Sequence, residues 1–262
     1  PHSGRVYPAD LVARTQLNGE ALRSSEDAYV DLLLADAPHF GAPLITSDVP
    51  RAYVDFNRAE SELDPALIEG VPRGGLNPRV ASGLGVIARV VSNGRHIYSG
   101  KLPLAEAQGR IERYWRPYHT ALSGLIAEAR ARFGGAVLID THSMPRDSLA
   151  HLPMPRPDMV LGDRNGASAS ARIAKEVAEA IAAEGFRMRR NSPFSGAYIA
   201  ATYGRPAQNV HVVQLEMDRS LYMDERRIEP RPDFDRFAAR FAGLIERLAA
   251  IRPDPAVGIA AE

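Results

Sequence analysis

Ala136-Val137-Leu138-Ile139-Asp140-Thr141-His142-Ser143 is the stretch on which the reading of this chain turns. Four consecutive apolar residues with no polar alternation predict a strand buried on both faces. That strand leaves the core carrying Asp140 and His142, which at positions i and i+2 project to the same side. Further β-rich runs lie at residues 52–56, 86–91 and 211–216. Helical periodicity marks residues 25–37, 104–133, 169–184 and 233–251. In the first of these Ala28, Leu32 and Leu33 form the apolar stripe, and Ser24 or Ser25 can cap it. In the second, Pro117 predicts a kink or restart. Strands alternating with helices predict an α/β fold in which helices flank a mixed central sheet. No repeat and no Pro-, Gly- or Ser-rich linker divides the sequence, so residues 1–262 are expected to form a single domain. In such sheets ligands gather where the strands end.

Composition narrows the partners. Thirty-two Lys and Arg balance thirty-two Asp and Glu, so no net field draws the chain to nucleic acid or to an anionic membrane. A small molecule is the expected partner. Cysteine is absent, which leaves any metal to His, Asp and Glu. No apolar run approaches the roughly 18 residues of a membrane span, and Pro1-His2-Ser3-Gly4 contains no apolar segment of the kind a signal peptide carries. The expectation is a soluble, cytoplasmic protein, with a strand ahead of the Pro1–Gly4 turn left open. Oligomeric state is not legible.

Read locally, each polar group has two meanings. Asp140 and His142 make either a metal site, with the carboxylate orienting the ring, or a histidine satisfied at a strand end. His2 stands beside Gly4, where backbone can approach a ligand closely, or belongs to a loose terminus. Glu26 and Asp27 supply a ligand or merely complement a helix dipole. Arg51-Ala52-Tyr53-Val54-Asp55-Phe56-Asn57-Arg58 ends a β-rich run on an amide and a guanidinium fork. The fork suits a carboxylate, or pairs on the surface with Glu60 or Glu62. In Gln214-Leu215-Glu216, Gln214 and Glu216 share one face. Burial would raise the Glu216 pKa toward general-base duty, unless an arginine such as Arg219 pairs with it. Residues 191–206 form a long Gly- and Pro-containing stretch with Arg189, Arg190 and Arg205 nearby, a length often put to functional use. His119 reads as a packed helix histidine.

Two motifs lead nowhere. Gly83-Leu84-Gly85-Val86-Ile87-Ala88 fits the spacing of a dinucleotide fingerprint, but a β-branched run and the Ser92-Asn93-Gly94 turn follow where a helix is required, so a hairpin is expected. Neither a nucleophile elbow nor a P-loop is present.

Taken in order, Pro1-His2-Ser3-Gly4-Arg5-Val6-Tyr7-Pro8, Asp55-Phe56-Asn57-Arg58, Pro117-Tyr118-His119, Asp140-Thr141-His142-Ser143-Met144, Tyr203-Gly204-Arg205-Pro206 and Gln214-Leu215-Glu216 with Leu221-Tyr222-Met223-Asp224-Glu225 resemble the N-formylglutamate amidohydrolase family along nearly the whole chain. The resemblance implies a fold related to the zinc carboxypeptidases and aspartoacylases. It implies zinc, or another divalent metal, held by His2, Asp27 (rather than Glu26) and His142, with Asp140 behind the ligands. It makes Glu216 the general base, and Asn57, Arg58, Tyr203 and Arg205 substrate-binding residues. The implied reaction is hydrolysis of N-formyl-L-glutamate, or a related short N-acyl amino acid, to formate and glutamate, with a role in histidine degradation. The alternatives are a carboxypeptidase- or peptidoglycan-amidase-like metallohydrolase and a catalytically lapsed binding protein. One departure stands out. The family's Gly-Gly-Tyr-x-Thr-Arg-His-Tyr-Gly appears here as residues 196–204 with Ala201 and Thr202 in place of Arg and His. This would shift the acyl amino acid preferred, unless Arg189, Arg190 or Arg205 covers the loss.

Overall fold

The computed structural model describes residues 1–72, 74 and 77–254. The apolar run at Ala136 opens a strand that carries on through its polar end. Four strands form the main sheet: β1 (Ala136–Met144), β2 (Met159–Gly162), β3 (Met188–Arg190) and β4 (Val210–Asp218), in the order β1-β4-β2-β3. β4 runs parallel to β1 and antiparallel to β2, while β2 and β3 are parallel. The sheet is therefore mixed, as expected. β5 (Met223–Asp224) and β6 (Glu229–Pro230) make a small separate hairpin. The described α-helices are α1 (Ala9–Arg14), α2 (Gly19–Arg23), α3 (Val30–Leu33), α4 (Pro78–Ala81), α5 (Leu104–Arg110), α6 (Arg116–Phe133), α7 (Ala171–Ala183), α8 (Tyr198–Tyr203) and α9 (Phe234–Ala250).

The strand period of two sorts the layers. Val213, Leu215 and Met217 of β4 join Ile173 and Val177 of α7 and Phe241 and Leu244 of α9 in one core. Val212 faces the opposite core, built around Phe56, Ile87, Trp115 and Leu122. Gln214 and Glu216 share the face of Val212, and Asp140 and His142 share that of Leu138. The polar ends of two adjacent strands are thus aimed at the side walled by the N-terminal half of the chain.

The long helical expectation at residues 104–133 holds with a detail. α5 passes through a π-helical turn, Ile111–Trp115, into α6, where Pro117 occupies the first turn. Proline has no N–H to give to the preceding turn, and the widened turn absorbs that gap. α7, capped by Ser170, and α9 follow their periodicity.

Three expectations fail. Residues 25–37 are not one helix: only α3 and a short 3₁₀ turn, Ala37–Phe40, are helical, and Tyr29 takes φ 65°. Tertiary bonds win here, since the Asp27 N–H donates to the His2 carbonyl at 3.0 Å and the Tyr29 hydroxyl to the Ile228 carbonyl at 2.7 Å. Residues 52–56 and 86–91 are buried but not strands, because their backbone groups bond across loops: Asp55 N–H to Val86 O at 2.8 Å and Val86 N–H to Glu62 O at 2.9 Å. This close approach explains Gly85, where a Cβ would sit 2.4 Å from Glu62 O. The expected hairpin is reduced to a single bridge, Val90 to His96. β2 and β3 went unread, being four and three residues long and so too short to show a period.

Candidate metal and substrate site

The site begins with the register of β1 on β4. Asp140 lies opposite Gln214 and His142 opposite Glu216, so four polar side chains share one patch of sheet. Gln214 spans two elements: its Nε2 donates to Glu216 Oε1 at 2.9 Å and its Oε1 accepts from the Ala197 N–H at 2.9 Å. Burial pushes the Glu216 carboxyl up to about 7. The positive charges of His142 and Arg51 oppose that rise, while the carboxylates of Asp27 and Asp140 add to it.

The N-terminal segment delivers His2 to the same patch. Gly4 lets it pass against the chain at Val49, where a Cβ would lie 2.3 Å from the Val49 carbonyl oxygen. His2 Nδ1 is 3.4 Å from Asp27 Oδ2, and His142 Nδ1 is 2.9 Å from the same oxygen. All three side chains are buried, and their converging atoms lie within 4.8 Å of one another. Each ring is held from behind by a carboxylate: His2 Nε2 meets Asp55 Oδ1 at 2.8 Å, and His142 Nε2 meets Asp140 Oδ1 at 3.0 Å. Oriented histidines of this kind typify metal sites.

A divalent cation fits this donor set. Tetrahedral zinc with ligands at about 2.0–2.1 Å spaces them about 3.4 Å apart, against 3.4 and 2.9 Å from Asp27 Oδ2 to His2 Nδ1 and His142 Nδ1. His2 Nδ1 is moreover buried without a hydrogen-bond partner, an orphan that a ligand role would satisfy. Burial works against a charge on Asp27, but the hydrogen bond from His142 and the nearby rings of His142 and His2 outweigh it and hold its carboxyl well below the usual range. Burial likewise opposes a charged His142, yet Asp140 and Asp27 raise it to about 10. The same burial, with the positive Arg51, lowers His2. Glu26 faces elsewhere, accepting from the Tyr7 hydroxyl at 2.5 Å and pairing with Arg23. The other oxygen of Asp27 is taken by Arg219 at 3.1 Å and Ser143 Oγ at 3.3 Å, which leaves Oδ2 to the site. Arg219 is therefore committed to Asp27 and does not pair with Glu216.

Above this patch opens a cavity of about 560 Å³. His2, His142 and Glu216 lie at its floor, and Arg51, Arg58, Arg79 and Arg219 are on its walls. Asn57 also lines it, but its amide is committed to the protein, donating to Asp140 Oδ2 at 3.1 Å and accepting from the Ile199 N–H at 2.7 Å. Arg58 spends Nε on the Leu84 carbonyl at 2.9 Å and one terminal nitrogen on the Asn57 carbonyl at 2.7 Å. Its second terminal nitrogen has no hydrogen-bond partner among the described residues.

Tyr203 and Arg205 stand outside the cavity. Tyr203 gives its hydroxyl proton to His119 Nδ1 at 2.8 Å, and His119 Nε2–H donates to the Phe56 carbonyl at 2.9 Å. With Trp115 Nε1 donating to the Arg58 carbonyl at 2.9 Å, these groups brace the turn of residues 55–58 from behind. Arg205 caps the carbonyls of Ala201 and Gly204 at the end of α8. A strand-end or loop position in sequence does not say which way a side chain turns. Ala201, Thr202, Arg189 and Arg190 also lie off the cavity wall, and Arg190 is paired with Asp163. The sequence reading missed Asp55, Arg51 and Arg79. Asp55 and Arg51 sit inside the quoted Asn-Arg segment, so their spacing was the available signal; nothing local marks Arg79.

A family model described as N-formylglutamate amidohydrolase matches residues 1–223. An N-formylglutamate deformylase of Pseudomonas aeruginosa is 34% identical over 231 residues, which span 86% of this chain and 81% of that protein. One of Pseudomonas putida is 32% identical over 229 residues, spanning 86% and 80%. The crystal structure of an N-formylglutamate amidohydrolase from Ralstonia eutropha superposes with a TM-score of 0.87 at 36% identity, covering 95% of this chain and 90% of that one. An Agrobacterium tumefaciens gene product shares the fold with a TM-score of 0.61 at 16% identity, covering 89% and 81%.

Proposed function

The chain belongs to the N-formylglutamate amidohydrolase family, and from that premise we propose that it hydrolyses the amide of N-formyl-L-glutamate, or of a related short N-acyl amino acid, with a divalent metal, zinc by its donor set, at His2, Asp27 and His142. The observation that carries the reading is the meeting of those three ligand atoms beside the buried carboxylate of Glu216, which lies opposite His142 in the sheet. The relatives named N-formylglutamate deformylase support the substrate.

A bound divalent cation would supply Lewis acidity toward the amide carbonyl and toward water. The rest falls to side chains. Arg58 offers its unspent terminal nitrogen to the substrate carboxylate, and that anchor orients the amide over the floor of the cavity. Asn57 positions Asp140 rather than the substrate. Glu216 takes the proton of the attacking water on its carboxylate and returns it to the leaving nitrogen, a task suited to a group titrating near neutrality. Gln214 fixes one oxygen of Glu216 and leaves the other for the proton. Arg51, tied to Asp55 by one nitrogen at 2.8 Å, has donors left to face negative charge developing on the carbonyl oxygen.

The test is metal content of the purified protein together with formate release from N-formyl-L-glutamate, with and without chelator. About one metal per chain and chelator-sensitive formate release support the reading. Turnover of short peptides in place of N-acyl amino acids would overturn it.

A further inference from the structure

The four arginines that line the cavity among the described residues are not equivalent. Arg51 is neutralised by Asp55 and Arg219 by Asp27, at 2.8 and 3.1 Å. Arg58 and Arg79 have no carboxylate within salt-bridge distance among the described residues. The acids that line the cavity, Asp55 and Glu216, are engaged by Arg51 and His2 and by Gln214 respectively. Among the described residues the cavity therefore holds two guanidiniums with no carboxylate in direct contact, one buried at Arg58 and one exposed at Arg79. A substrate with one carboxylate can answer only one of them.

Arg79 is built into the wall rather than hung on a free loop. It lies in α4, where Asn77 Oδ1 accepts its N–H at 3.0 Å. Its carbonyl accepts from the Leu84 N–H at 2.8 Å, and the Leu84 carbonyl takes the Nε–H of Arg58 at 2.9 Å. Arg89 pins the end of the same turn, donating to the Ala81 carbonyl at 3.1 Å. The two guanidiniums are thus carried by one hydrogen-bonded frame. Burial lowers the Arg58 pKa most; Asp55 and, more weakly, Glu62 oppose that fall, while the positive charges of Arg51 and Arg79 add to it. Like charges held at one cavity call for an anion between them.

We propose that Arg79 is a specificity-determining residue which binds a second, side-chain carboxylate of the substrate while Arg58 binds the α-carboxylate. The inference rests on the proposed reaction and names the residue through which this chain selects acidic N-acyl amino acids over neutral ones.

The test separates binding from turnover. In the metal-loaded full-length enzyme, the affinities of glutarate and butyrate are measured by calorimetry. The kcat/KM for N-formyl-L-glutamate and for N-formyl-L-glutamine is measured by formate release. Arg79 is exposed and its side chain makes no bond to the described residues, so Arg79→Gln is expected to keep its fold. The wild type should prefer glutarate, and Arg79→Gln should lose that preference. The glutamate-to-glutamine ratio of kcat/KM should fall about 10- to 100-fold, chiefly through KM, with Arg79→Lys in between. Unchanged glutarate affinity in Arg79→Gln overturns the inference. Loss of glutarate preference in a protein that releases no formate from either compound keeps the dicarboxylate site and refutes the reaction.

Discussion

Glu216→Gln tests the proposed chemistry most directly. The amide preserves the shape of the side chain and keeps an acceptor for the Gln214 Nε2–H, now 2.9 Å from Oε1, so the patch should stay packed. It removes the negative charge and with it the ability to take up a proton. Removing a general base costs about 10²–10⁴ in rate, equivalent to about 2.7–5.5 kcal/mol of transition-state stabilisation. Metal content should not change, because Glu216 is not among the three ligands. The pH profile sharpens the test. With a carboxyl at about 7, the base is ionised above that pH and active there. Activity should fall about tenfold per unit below it. A cation at the ligands favours the carboxylate and moves this break downward, never upward. The assay is kcat/KM for formate release from pH 5 to 9 in wild type and Glu216→Gln, with metal measured on the same samples. A variant that keeps its metal and turns over at more than half the wild-type rate, or that still breaks near pH 7, would refute the assignment.

Three further outcomes are expected. Asp55→Asn and Asp140→Asn, which disturb the carboxylates behind His2 and His142, should each weaken metal binding about 10- to 100-fold by equilibrium dialysis; unaltered affinity would mean that the rings are positioned by packing alone. Arg58→Met should raise KM for the N-acyl amino acid about 10- to 100-fold while lowering kcat less, and a loss confined to kcat would remove Arg58 from carboxylate binding. Gly4→Ala should lower stability by about 1–3 kcal/mol in thermal or denaturant unfolding and reduce metal content, since its Cβ would meet Val49 O at 2.3 Å; a silent substitution would show that the N-terminal segment gives way freely.

Much of the frame is legible in local pattern. The β-branched run before Gln214 announces a buried strand, and the unbroken apolar run at Ala136–Ile139 announces a strand too, although Val137, Leu138 and Ile139 are only half-buried and it is the polar end of β1 that is enclosed. Their period of two places Asp140 with His142 and Gln214 with Glu216 before any tertiary information enters. Segments 52–56 and 86–91 show the limit of such patterns. Their apolar residues are buried as composition requires, but burial does not decide whether a backbone N–H pairs in a ladder or across a loop. Residues 25–37 show the same thing for helices, where one bond from Asp27 to His2 and the left-handed Tyr29 break an amphipathic stripe.

The sequence by itself therefore determined the α/β class, the two adjacent strands β1 and β4 and the residue types brought to their ends, because those depend on periodicities of a few residues. Only the tertiary structure decided that His2, Asp27 and His142 meet, that Asp55 stands behind His2, that Asn57 is spent on Asp140 and Ile199, and that Tyr203 and Arg205 face away from the cavity. The same holds for Arg79, 21 positions after Arg58 and joined to it through the Leu84 carbonyl. These facts concern which donor is left without a partner once the chain has folded, and that depends on all of the surrounding groups at once.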